Sequence, residues 1–281
     1  MHGRIGSLFQ AQGALAEAEA ASGKTLDAFR RLTEQEPTNA GWQRDLAVAH
    51  SGVGDVLQTQ GKLTEAEEAF GETLGVLHRL AGQDPANAGW RRDLAVAHTR
   101  LGSVLQAQGK LAEAQAAFTE SLRINLPLTA QDPTNAGWQR ELAVAYSRLG
   151  SLLEAQGRQD EALAAFAEDL RISRRLVVQD PTSANWQWDL AVTLRKIARL
   201  HFNAERYDLA LSPYEEAARI LRELAQKAPG FVNWAKERDK VESELETCRS
   251  KIRTPTDSGG GTHERAPGAP SADKPSSSAP G

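Results

Sequence analysis

A chain of 281 residues has room for one or two ordinary domains, and 40% apolar with 25% charged residues suits a folded, water-facing protein. A formal charge of −4 gives no global pull toward nucleic acid or an anionic membrane. Cys248 is the only cysteine, which excludes an intrachain disulfide framework and a Cys-rich metal site, and no apolar run approaches the roughly 18 residues of a bilayer span.

The N-terminus, "MHGRIGSLFQAQG", lacks a cationic stretch followed by an apolar core, so no secretory signal is expected and the cytoplasm is the default location. "EPTNAGWQRDLAVAHSGVG" (36–54) then returns almost unchanged as "DPTNAGWQRELAVAYSRLG" (132–150), with further versions after Pro85 and Pro181. Trp42, Trp90, Trp138, Trp186 and Trp234 stand 48 residues apart without a slip. Pro37, Pro85, Pro133, Pro181 and Pro229 keep that interval, as do Leu32, Leu80, Leu128, Leu176 and Leu224, and Gly6, Gly54, Gly102 and Gly150. Several residue types held in phase define a solenoid of stacked units.

The first unit (1–36) is short: residues 2–12 supply only the stub of a helix, and Ser22 stands where later units have Phe70, Phe118 and Phe166. Units 37–84, 85–132, 133–180 and 181–228 are full length. In the fourth, Trp138, Leu142, Leu149 and Leu153 recur at helical steps, predicting a first helix capped by Thr134 or Asn135 and ended at Gly157. Ala162, Phe166, Leu170 and Leu176 predict a second helix that "QDP" (179–181) terminates. Each helix is expected to run about 20 residues. In the third unit Pro127 falls inside the second helix, where it removes a hydrogen bond at a cost of roughly 3 kcal/mol, so a kink or early stop is expected there. Trp234 opens a mostly polar capping helix (231–252), with Arg238 replacing the apolar residue found at Leu46, Leu94, Leu142 and Leu190. In the tail (253–281), 15 of the 28 residues from Thr254 onward are Gly, Pro or Ser, a composition that cannot bury a core and is expected to be disordered.

"YSRLGSLLEAQGRQDEALAAF" (146–166) resembles the tetratricopeptide repeat, with Leu149-Gly150 as its Leu-Gly pair, Leu153 as its large residue, Gly157 as its turn glycine, Ala162 as its small residue and Phe166 as its aromatic. The preceding units match at Leu101-Gly102, Leu105, Gly109, Ala114 and Phe118, and at Val53-Gly54, Leu57, Gly61, Ala66 and Phe70. The fifth has Ile197-Ala198, His201, Ala210 and Tyr214, with Glu205 in place of the turn glycine. The unit length of 48 departs from the usual repeat of about 34 and resembles an elongated variety. The resemblance implies an all-α, right-handed superhelical solenoid of antiparallel helix pairs, about five repeats plus the cap, over residues 1–252. It also implies a protein–protein interaction scaffold that takes a peptide or partner protein in a concave groove lined by the first helices.

No catalytic set can be assembled, so an enzyme is not expected. The six histidines do not cluster, and His50 and His98 share a position with Tyr146 and Leu194, which reads as packing. "GVGDVLQ" lies within a helix and lacks a preceding strand, so it is no nucleotide loop. No cofactor or metal is expected. The recurring tryptophans read as core, and Trp90→Ala is expected to cost about 3 to 5 kcal/mol if its site is buried.

The resemblance places one row of each first helix in the groove: Arg44, Val48, Ser51 and Asp55, with their counterparts from Arg92 and Arg140. The fifth row, Trp188, Val192, Arg195 and Arg199, differs in kind, because Trp188 is an extra tryptophan where other units carry arginine. With Lys196 beside it, and with Arg100 and Arg148 aligned to that lysine, the patch has the make-up of a binding hot spot for an acidic segment. The competing reading is a solvated helix face with Trp188 covered by the next helix. A carboxylate clamp for chaperone tails, which in the family uses Lys and Asn, is absent, since those sites hold Ser51, Thr99 and Ser147, then Asp55, Ser103 and Ser151. The partner-binding set is therefore Trp188, Val192, Arg195, Lys196, Arg199, Arg100, Arg148, Arg44, Arg92 and Arg140. The alternatives are a regulatory or structural arm of a larger multidomain signalling protein or enzyme, and an autonomous receptor for an acidic peptide. Nucleic acid and membrane are not expected as partners, and a monomer is the default.

Overall fold

A computed structural model describes residues 15 to 253 apart from Pro229. The helical stub expected over residues 2–12 and the Gly/Pro/Ser-rich tail lie outside the described residues. Among those described, ten helices and no strand follow in order: α1 (Leu15–Gln35), α2 (Ala40–Thr59), α3 (Leu63–Gln83), α4 (Ala88–Ala107), α5 (Leu111–Gln131), α6 (Ala136–Ala155), α7 (Gln159–Gln179), α8 (Ala184–Asn203), α9 (Tyr207–Lys227) and α10 (Val232–Arg253). The even-numbered helices are the first members of each pair. The architecture is an all-α solenoid.

Local chemistry sets both ends of each helix. Asn39, Asn87 and Asn135 cap α2, α4 and α6, each side-chain oxygen accepting from the tryptophan N–H three residues on at 3.1 Å. Ser183 makes the same bond to Trp186 at the start of α8. These caps satisfy one of the donors that a helix start leaves without a partner. Of the two cap candidates at 134 and 135, the asparagine takes the role.

At the other end, Gly61, Gly109 and Gly157 turn the chain with φ of +76°, +79° and +76°. That conformation costs a side-chain-bearing residue about 1 kcal/mol or more. Glu205 nevertheless adopts it in the fifth unit, at φ 57°. The N–H after each turn residue then reaches back five positions, as Lys62 does to Leu57 O and Arg206 to His201 O, both at 2.9 Å.

The stop anticipated at Pro127 does not occur. α5 spans 21 residues, the length of the second helices on either side of it. Ile124 and Leu128, flanking the proline, are 6% and 0% exposed. Burying them contributes about 1.5–3 kcal/mol apiece, which outweighs the one lost hydrogen bond. Pro213 is carried inside α9 in the same way, between buried Ala210 and Tyr214.

Apolar packing is distributed in clusters that each bridge several helices. One joins Ala47 of α2, Leu77 and Leu80 of α3, Leu94 of α4, and Ile124 and Leu128 of α5. Trp90 and Trp138 both lean on that cluster, Trp186 on a later one, and Trp234 on the last. All five phased tryptophans are half-buried, so truncating one removes less than a fully enclosed ring would.

Within each pair, the Leu-Gly glycine lets the aromatic of the second helix approach its backbone. A Cβ at Gly54, Gly102 or Gly150 would lie 2.7–2.8 Å from Phe70, Phe118 or Phe166. First helices of successive units also touch, α2 with α4 and α4 with α6, while no two second helices share comparable contact. At those two seams the first helices therefore stand closer together than the second helices do.

Candidate functional site on the first-helix face

Three arginines of this face reach along the stack while keeping partial access to water. Arg44 Nε donates to Asp93 Oδ2 at 2.6 Å, Arg92 Nη2 to Glu141 Oε1 at 2.9 Å, and Arg140 Nε to Asp189 Oδ2 at 2.7 Å. Each bond spans 49 residues, one unit plus one position. The fourth position in this register is Trp188, whose uncharged indole forms no ion pair. Its orphaned acceptor, Glu237, takes Arg195 Nη1 at 3.0 Å instead.

A second row runs beside the first with the polarity of its bonds set by Ser51 and Ser147. Arg100 donates to Ser51 and pairs with Asp55 at 3.0 Å. Lys196 Nζ donates to Ser147 Oγ at 2.7 Å and lies 5.3 Å from the centre of the Phe166 ring. One seam later the polarity inverts. Arg195 occupies the serine position and grips Glu244 through Nε and Nη2 at 2.8 and 2.6 Å. Arg199 closes on Glu154 at 2.7 Å, and Arg148 is exposed.

Burial shapes the electrostatics of this region. Asp169, 3% exposed, accepts from Thr193 at 2.8 Å and Ser173 at 3.0 Å. Burial raises its carboxyl, against hydrogen bonds from Thr193, Ser147 and Ser173 and the charge of Lys196. Burial likewise brings the Lys196 ammonium down to about 8, with Asp169 acting against the shift.

Clefts open at the seams between first helices. The one between α2 and α4 measures about 310 Å³, with Ala47, Val48, Leu77 and Val96 as apolar walls and Arg44 and Arg92 at its edge. Val48 is 55% exposed there. The repeat-equivalent cleft between α6 and α8 shrinks to about 80 Å³, with Trp188 where the earlier cleft has Arg92 and Asp169 where it has Thr73. Trp188 also packs on the last core cluster, so it is neither free in solvent nor fully covered. A third cleft, about 240 Å³, lies between α8, α9 and α10 and includes Arg199.

Seven of the ten expected binding residues line these three clefts, while Arg195, Lys196 and Arg148 line none of them. Arg44, Arg92 and Arg100 line the first, Arg140, Trp188 and Val192 the second, and Arg199 the third. Reading cations alone missed their acidic partners, Asp93, Glu141, Asp189, Glu237 and Glu244. The signal was present: Arg44-Asp45, Arg92-Asp93 and Arg140-Glu141 set an acid one position after each arginine.

Two tetratricopeptide repeat family models match the sequence, over residues 95–126 and 142–182. The chain carries tetratricopeptide repeats. The matched stretches of this tetratricopeptide array carry Gly102, Phe118, Gly150 and Phe166, whose glycine–ring contacts are described above. Its fold is similar to that of BtubC (BKLC) from P. vanneervenii, with 18% identity, 94% of this chain and 99% of that one covered, and a TM-score of 0.58. A putative kinesin light chain from Podosopora anserina with nearly identical TPR-like repeats follows, at 15% identity, 81% and 95% coverage, and a TM-score of 0.52. No curated protein matches the sequence. The role of a tetratricopeptide array is that of a protein–protein interaction scaffold, and such arrays are generally non-catalytic. No described helix of this tetratricopeptide protein is long and apolar enough to cross a membrane.

Proposed function

We propose that this tetratricopeptide array binds a segment of a partner protein along its first-helix face, anchored by an apolar side chain in the cleft between α2 and α4. The observation that carries the reading is Val48, an exposed valine lining a cleft of about 310 Å³ in which Ala47, Leu77, Val96 and Ala97 stand among polar and charged side chains. A cleft of that size gives one anchoring side chain an apolar floor, with the polar groups around it to fix its orientation. Arg44 and Arg92 already hold Asp93 and Glu141, so they frame the cleft as ordered polar walls with little entropy left to lose on binding.

An acidic ligand at the Trp188 patch is the less favoured chemistry. Arg195 and Arg199 hold carboxylates of the chain itself, and an acidic segment would have to displace them. Residues 37–228 act in this reading as four phased units, with 231–252 as their cap and the cytoplasm as the working compartment. Peptides selected from a random displayed library against the folded array supply the test. Those peptides should bind Val48→Glu and Val96→Glu at least about ten-fold more weakly than the parent, a loss of roughly 1.4 kcal/mol or more. Undiminished binding to both variants, with helical content intact, would remove the α2–α4 cleft from the account.

A further inference from the structure

The cations of the first-helix face recur with the repeat, so their partners can be compared seam by seam. Arg44, Arg92 and Arg140 each hold an acid of the next unit. In the neighbouring row, Arg100 donates to Ser51 across the α2–α4 seam and pairs with Asp55 at 3.0 Å. Lys196 donates to Ser147 across the α6–α8 seam, with Asp169 as its opposite charge.

Arg148 holds the same place in the seam between α4 and α6, 48 residues after Arg100 and 48 before Lys196. It is exposed, and among the described residues it has neither an ion pair nor a hydrogen bond. The cause lies in its own seam. The positions of Ser51 and Asp55 are held there by Thr99 and Ser103, and that of Asp169 by Ser121. Thr99 donates to Ala95 O at 3.2 Å and bonds Ser121 at 2.8 Å, while Ser103 donates to Thr99 O at 2.9 Å. Hydroxyls already engaged with one another therefore stand where the flanking seams have carboxylates. The charged groups that act on Lys196, the next cation of the row, are Arg148, Arg199, Asp169 and Glu154. With Lys196 itself they leave a net +1, since Arg199 and Glu154 hold each other.

We propose that Arg148 receives an aspartate or glutamate side chain of the partner segment, so that the ligand brings to the α4–α6 seam the carboxylate that Asp55 and Asp169 provide on either side. The inference rests on the reading of the α2–α4 cleft as the anchor of that segment. Arg100, the counterpart of Arg148, lines that cleft, so the two contact points lie one repeat apart. Packed helices stand about 8–10 Å apart and an extended chain rises about 3.3 Å per residue, which places the carboxylate about three residues from the apolar anchor. Unlike Arg195 and Arg199, Arg148 has no internal carboxylate to release first. Its guanidinium can hold the incoming one through two parallel bonds, which fixes the register of the segment on the array.

The test selects peptides from a random displayed library twice, against the full chain and against its Arg148→Glu variant. Peptides taken by the parent should carry Asp or Glu about three positions from an apolar residue, and those taken by the variant Lys or Arg at that spacing. In a synthetic, C-terminally amidated peptide of the first kind, replacing the acid by its amide should weaken binding to the parent about three- to five-fold, the scale of a half-exposed ion pair. The same replacement should leave binding to Arg148→Ala unchanged. Arg148 is exposed, so both variants should keep the parent's circular dichroism. No excess of acids at that spacing, the same preference in both selections, or an equal loss on Arg148→Ala would each overturn the proposal. If the peptides lose binding to Val48→Glu yet show no preference for an acid, this inference fails and the α2–α4 cleft stands. Peptides indifferent to both Val48→Glu and Val96→Glu, or a library that yields no binder, would remove the cleft and this inference together.

Discussion

Arg140 Nε donates to Asp189 Oδ2 at 2.7 Å across the seam between α6 and α8, and both side chains keep partial access to water, 46% and 27% exposed. The same reach recurs at Arg44–Asp93 and Arg92–Glu141, so a single sequence offset latches three consecutive seams. Half-exposed pairs of this kind contribute only about 0.2–1 kcal/mol each. A double-mutant cycle of Arg140→Ala and Asp189→Ala, read from urea midpoints, should return a coupling within that range and shrink in high salt. A coupling of zero at low salt would mean that the latch has no energetic role.

Gly150 sets how closely α6 and α7 pack. A Cβ there would lie 2.7 Å from Cδ1 and Cε1 of the fully buried Phe166 ring. Gly150→Ala should therefore destabilise the array by about 1–3 kcal/mol, the usual cost of overpacking. Equilibrium urea unfolding checks this, and a neutral result would show that the ring can retreat, as the natural pairing of Ala198 with Tyr214 already requires in the fifth unit.

Glu205 is the one described non-glycine residue with positive φ, at the turn where three other units carry glycine. Glu205→Gly should relieve the left-handed strain while giving some freedom back to the unfolded chain, for a net gain of about 0.5–1 kcal/mol. Thermal and urea unfolding should both move upward. Lower stability in the glycine variant would mean that the Glu205 side chain holds something its backbone angle does not reveal.

His98 predicts an acid-side loss of stability. Burial, and then the His78 ring 5.6 Å away, bring its pKa down to about 4 from the ordinary 6.5 of a histidine, and its Nε2 is buried without a hydrogen-bond partner. Between those two values the unfolded chain binds the proton and the folded one resists it. The contribution of the neutral ring is therefore complete above about pH 6.5 and lost as the pH falls toward 4. His98→Tyr, matching Tyr146 one unit later, should lose less stability than the parent between pH 7 and pH 5. An identical loss in urea midpoint for both proteins would contradict the assignment.

Much of this molecule follows from interactions within a few residues of chain. Asn135 caps α6 through the N–H of Trp138, and Gly157 ends the turn after α6 through its own backbone freedom. Both effects close within one helical turn, so they are written in the local phrase and repeat wherever it repeats. The 48-residue phase then fixes the stack of helix pairs, since each pair must bury its apolar face on the next.

Pro127 marks where local reading fails. Its backbone cost is legible in the sequence, but the burial of Ile124 and Leu128 that outweighs it depends on the packed neighbours. The site diverges for the same reason. Arginine 44, 92 and 140 look like free groove cations until helices 49 residues apart are brought side by side and each finds a carboxylate. Arg195 likewise turns from candidate ligand-binder into the anchor of α10 through Glu237 and Glu244. Sequence by itself determined the repeat, its caps and its turns, because backbone geometry and short-range hydrogen bonds decide those. Only the tertiary structure decided which charges are spent inside the protein and which seams stay open, because that depends on side chains meeting across units.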